Sequence, residues 1–152
     1  MSRDIGVYTK SEKIITPTEF VEALRARGIQ ADWKPRSPQQ PERTSGFFFP
    51  AGISDPKSQA TVSTESLDEA AALSLVEAYR NRMSQSQREA LQEARVEYLF
   101  STVLSPDAEC RRLLANLVYV TAEMGDGVII DMLSNTVLDK DQYRSLSPEL
   151  FN

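Results

Sequence analysis

The side chains that carry most acid–base, nucleophilic and metal chemistry are nearly missing here: the 152 residues include no histidine and one cysteine, Cys110. Without an imidazole there is no Ser–His–Asp or Cys–His nucleophile pair, no histidine general base and no histidine-containing zinc site. A lone thiol also excludes thiolate metal cages, CxxC redox chemistry and an internal disulfide. Cys110 falls on an apolar stripe with Leu113, Leu114 and Leu117, so it reads as a small buried hydrophobe and not as a reactive thiol.

Carboxylates are what remains. Asp126, Asp131, Asp139 and Asp141 lie close together near the C-terminus, and acids in pairs can hold Mg²⁺ or divide the work of acid and base. Their spacing fits no calcium loop. Asp126, between Gly125 and Gly127, reads as a turn former, and Asp139 reads as a helix cap. The Gly125-Asp126-Gly127 run leads into a strand, whereas phosphate cradles lead from a strand into a helix. Arg111 and Arg112 stand near a helix start and could meet an anion, although paired arginines on a polar helical face are first read as solvated. No catalytic, cofactor-binding or metal-binding residue is assigned from the sequence.

The aromatic residues give a softer signal. Trp33 and the run Phe47, Phe48, Phe49 flank a segment, 35–46, that holds three prolines and almost nothing apolar. Neighbours along a strand point to opposite faces, so the three phenylalanines cannot share one. At least one should leave the main core unless both faces are covered, and an outward aromatic is an anchor for a partner.

The elements that must position these residues can be read from caps and periodicity. Ile5 to Thr9 is a first strand. Thr16, Pro17 and Glu19 form a capping box that opens a helix over 17–27, with Gly28 past its end. Ile29 to Trp33 is a second strand, 35–46 a long and mobile Pro-rich loop, and 47–49 and 59–64 a short strand pair. Ser66 and Glu69 suggest a second capping box, followed by helical spacing to about Arg82 and further turns over 88–95. Val96 to Val103 is rich in β-branched and aromatic residues and reads as a strand. Ser105-Pro106-Asp107 starts a helix over about 106–124 that is apolar around most of its circumference, the mark of a central buried helix. Val128 to Met132, a turn at Ser134-Asn135, Thr136 to Leu138 and a final cap at Asp139 complete the chain.

This order predicts a single α+β domain over 1–152. Two β-α-β-like halves would surround a mixed sheet in an open two-layer α/β sandwich with helices on one face. The composition is globular, with 41% hydrophobic and 26% charged residues. The charged and interrupted N-terminal segment lacks the apolar run of a signal peptide, no window approaches the ~18 apolar residues of a membrane helix, and a cytoplasmic location is expected.

Charge is uneven: residues 1–57 carry a balance of +2 and residues 58–152 one of −7. An acidic chain of pI 4.8 repels nucleic acid and suits a basic partner. The expectation is a non-enzymatic protein-binding domain that needs no cofactor and touches no membrane. Inhibitor- or immunity-type proteins share this size and charge. Trp33, Phe47, Phe48 and Phe49, or an acidic surface with Asp126 and Asp131, would form the contact. The alternatives are a small-ligand binder or carboxylate-dependent enzyme with its pocket between the sheet and loop 35–46, and a structural domain that forms homodimers.

Overall fold

The first strand of the chain takes the middle of the sheet. In the computed structural model, which describes residues 2–41, 43–53 and 55–151, β1 (Ser2–Thr9) is flanked by β5 (Val96–Val103) and β6 (Gly127–Asp131). Beyond β5 come β4 (Ala60–Ser66), β3 (Gly46–Pro50) and β2 (Ala31–Pro35), and beyond β6 comes β7 (Thr136–Leu138). The result is one seven-stranded sheet in the order β2-β3-β4-β5-β1-β6-β7.

The α+β class stands, but the sheet is antiparallel at every pairing and not mixed. Followed through these pairings, β1 and β2 run in the same direction, as do β5 and β6, so the helical crossovers implied by the β-α-β pattern are real. Neither pair is adjacent, however. β1 lies between β5 and β6, and β3, β4 and β5 lie between β1 and β2. Interleaving converts what would be parallel neighbours into antiparallel ones.

One face of the sheet carries α1 (Pro17–Ala26), α4 (Ala108–Gly125) and α5 (Lys140–Leu146). The capping box of α1 forms as its sequence indicates, with the Thr16 hydroxyl accepting from the Glu19 N–H at 3.1 Å. Against α4 and α1 pack Ile5, Val7, Val62, Tyr98, Phe100 and Ile129 from the strands. Phe20 of α1 meets the edges of Phe48, Tyr98 and Phe100 with ring centroids 5.6, 6.1 and 6.3 Å apart. The Tyr98 hydroxyl accepts from the Ile15 N–H at 2.8 Å and so holds the approach to α1 onto the sheet. Burial raises the pKa of this phenol, which stays protonated.

The opposite face is also used, contrary to the expectation of helices on one side only. α2 (Glu69–Ala78) and α3 (Gln85–Gln92) cover it over β1, β6 and β7, where Val76, Leu91 and Ala94 enclose Tyr8, Val128, Ile130 and Val137. The cause lies in β6, whose Val128, Ile129 and Ile130 are all buried. A strand apolar on both sides must be covered on both. The start of α2 also differs from the reading of Ser66 as cap. Ser66 still pairs with Val96 at the end of β4, and Asp68 takes the cap position, accepting from Ala71 N–H at 2.8 Å.

Loop 36–45 joins β2 to β3 as a hairpin, in which Pro35 pairs with Gly46. The buried Thr44 ties it down through its hydroxyl, which donates to the Ile15 carbonyl at 2.5 Å, and its carbonyl, which accepts from Thr64 Oγ1 at 3.1 Å.

Candidate functional site

On the second face, α2 and α3 stop at β1. Among the described residues, the half made by β2, β3, β4 and β5 has no α-helix packed on it: α1 and α4, which touch these strands, lie on the first face. Strand alternation places Asp32 and Lys34 of β2, Phe47 and Phe49 of β3, Thr61, Ser63 and Glu65 of β4, and Glu97, Leu99, Ser101 and Val103 of β5 on this uncovered half. The register sets them in rows. Lys34, Phe47, Thr61, Ser101 and Asp4 form one, Ser63 and Leu99 the next, and Glu65, Glu97 and Tyr8 a third.

Phe47, Phe49 and Leu99 are half-buried, and Val103 is 38% exposed. The Arg36 guanidinium lies over the Phe47 ring, 5.6 Å from its centroid, which shields part of one aromatic face. Around this apolar ground stand four carboxylates, Asp4, Asp32, Glu65 and Glu97, against the single cation Lys34 within the strands. Asp4 accepts from Ser101 Oγ at 2.7 Å and Ser2 Oγ at 2.9 Å. Glu65 and Glu97 face each other directly across β4 and β5. Neither joins an ion pair among the described residues. A like-charge pair of this kind costs stability. Next to them, Tyr8 is held well above its ordinary pKa, first by burial and then by the charge of Glu97, so its hydroxyl remains a donor.

The residues picked out from sequence separate in the structure. Phe47 and Phe49 reach the uncovered half. Phe48 points the other way and is fully enclosed, so it belongs to the core. Trp33 is also on the helix-bearing face, its ring 4.6 Å from that of Phe48. Asp126 and Asp131 sit at opposite ends of β6. Asp126 is exposed at the end of α4 with φ 51° and lies 3.5 Å from Lys10 Nζ. Asp131 is 6% exposed and bound to Arg3 at 3.1 Å, so it is not part of an acidic surface. Asp139 caps α5, accepting from Gln142 N–H at 2.8 Å. These carboxylates do not converge, and no group of three metal-ligating side chains occurs among the described residues. Burial pushes the Cys110 thiol up to about 11, with the charge of Asp107 adding to the effect, so it is no nucleophile at neutral pH.

Leu99, Val103, Glu65 and Glu97 were not singled out from sequence. The signal was the strict alternation in β5 (VEYLFSTV), but only the placement of α2 and α3 decides which outward residues remain uncovered.

A cavity of about 570 Å³ opens where loop 36–45 meets β4, lined by Ile14, Thr16, Arg43, Thr44, Thr64, Glu65 and Ser66. It lies between the sheet and the loop, as the small-ligand reading requires, but among the described residues Glu65 is the one carboxylate that lines it. Among the described residues no helix is long and apolar enough to cross a membrane. Comparison with known proteins matches this chain to no family model, no curated protein and no solved structure.

Proposed function

We propose that the chain is a non-enzymatic protein-binding domain that docks a partner on the uncovered half of its sheet. The observation that supports this reading is the set Phe47, Phe49, Leu99 and Val103, half-buried or exposed apolar side chains on a half of the sheet over which no α-helix packs among the described residues. Aromatic anchors surrounded by polar groups are the usual make-up of an interface centre. The charge around them selects the partner. Asp4, Asp32, Glu65 and Glu97 favour a surface with an apolar centre and a basic rim, and such charges speed encounter and reject acidic competitors. A second copy of the chain fits poorly, because a two-fold contact would bring these same carboxylates against themselves.

The test is affinity purification from native lysate with the wild-type chain and with the double variant Phe47→Ser/Phe49→Ser. The wild type should hold a basic protein in stoichiometric amount and release it at high salt. The variant should bind it about 2 kcal/mol more weakly or worse, roughly thirtyfold in Kd. Equal retention by a correctly folded double variant would overturn the assignment.

A further inference from the structure

On the other side of the sheet, the C-terminal turn encloses a cavity unrelated to the docking face. Its volume is about 120 Å³. The apolar wall comes from Leu114 and Ala115 of α4, Leu146 of α5, and Leu150 and Phe151 of the 3-10 turn Pro148–Phe151. That turn is fastened to α4 through Asn116, whose side-chain amide donates to the Leu150 carbonyl at 3.0 Å. Asn116 Oδ1 in turn accepts from Arg27 Nε at 2.9 Å. The Phe151 ring packs edge-on against Tyr119 and Tyr143, with centroids 5.6 and 6.4 Å apart. The wall is therefore fixed and not a collapsed tail.

The polar lining is cationic. Arg3, Arg111, Tyr143 and Ser147 make up the polar lining of the cavity, and among the described residues no carboxylate lines it. Arg3 is steadied by Asp131, which accepts from one terminal nitrogen at 3.1 Å. Arg111 joins no ion pair among the described residues. Tyr143 is 8% exposed, and burial raises its pKa, so it presents a protonated hydroxyl. A hydroxyl donor and two guanidinium groups beside an aliphatic wall match one ligand chemistry: a carboxylate head on a short apolar tail. The volume is a little below the ~150 Å³ of a cavity that takes benzene, which limits the tail to about five carbons at most.

From this we infer that the cavity between α4, α5 and the C-terminal turn is a binding site for small aliphatic monocarboxylates. Arg111, which as a sequence feature reads as merely solvated, supplies a positive charge that no ion pair ties up among the described residues.

The test is an NMR titration of the whole chain with hexanoate, and with hexylamine and hexanol as controls. Hexanoate should shift the methyl signals of Leu114, Leu146 and Leu150 and the ring signals of Tyr143 saturably at low-millimolar concentration, and the two controls should not. Arg111→Gln, an exposed change that leaves the wall intact, should weaken hexanoate about fivefold or more. Ala115→Leu, which fills the cavity, should abolish the shifts in a chain that still melts cooperatively. The inference is overturned if hexanoate gives no saturable shift, if hexylamine shifts the same signals equally, or if Arg111→Gln binds as tightly as the wild type.

Discussion

Leu99 and Ile130 stand in one row of the same sheet face, with Gly6 between them. They are finished in opposite ways. Ile130 is fully buried beneath α2 and α3, whereas Leu99 is half-buried with no helix above it. The boundary runs along β1, where the Tyr8 ring lies over Gly6 so closely that a Cβ at Gly6 would meet it at 2.7 Å. The covered side is a second core. The uncovered side mixes small polar residues that suit water, Thr61, Ser63 and Ser101, with Phe47, Phe49, Leu99 and Val103, which do not. On the docking proposal, a partner supplies the cover that these half-buried residues lack.

The contrast can be broken most strongly through stability. Leu91→Ala, in the fully buried contact of α3, should cost about 2–5 kcal/mol in urea unfolding. Leu99→Ala should cost less than about 1 kcal/mol, because its neighbourhood is already partly open to water. Similar costs at both positions would mean that the uncovered half is covered in solution by something within the chain.

A smaller effect of opposite sign is expected at the facing glutamates. Glu65→Lys should stabilise the isolated chain by about 0.2–1 kcal/mol by turning a repulsive cross-strand pair into an attractive one. The same change should weaken the basic partner. A charge kept at a cost to folding and lost at a cost to binding would mark it as part of the docking surface. If Glu65→Lys destabilises the chain, the pair is not repulsive as it stands.

The smallest expected effect is on the response to acid, and it should spare the uncovered half. Asp107 is held below the usual carboxylate range, first by the Ser58 hydroxyl and then by the Cys110 N–H. Glu19 is lowered first by its hydrogen bond with the Thr16 backbone N–H. Both folded pKa values lie below the unfolded ones. Their stabilising contribution is therefore present above the ordinary carboxylate range and lost as pH falls through the folded values. Both groups serve α1 and α4, so Tm should fall between pH 5 and 3, and Asp107→Asn should flatten that dependence. These pH limits are about one unit wide on either side of the ordinary carboxylate values.

Much of the fold could be read from local signals. The boxes at Thr16 and Asp139 place two helices, because each depends on residues three apart in the chain, whereas the helix expected from about 106 begins two residues later, at Ala108, behind Asp107 as its cap. The burial of α4 follows from its apolar circumference. The sheet order could not be read so directly, since the insertion of β1 between β5 and β6 depends on pairings across the whole chain. α2 does not start behind Ser66, because the pairing of β4 with β5 overrides a good local cap. At the candidate site, alternation correctly separates Phe48 from its neighbours but does not say which side is the core. Asp131 looked like a surface acid because nothing in its own segment reveals Arg3, which comes from the far end of the sequence.

The most direct test is hydrogen–deuterium exchange of the chain alone and in complex with whatever basic protein the proposed affinity purification recovers. The account predicts new protection in β3, the central part of β4 and β5, over 46–50, 61–65 and 97–103, with α2, α3 and β7 unchanged. Protection confined to α2 and α3 or to the helices of the first face, with β3 to β5 exchanging as in the free chain, would contradict it.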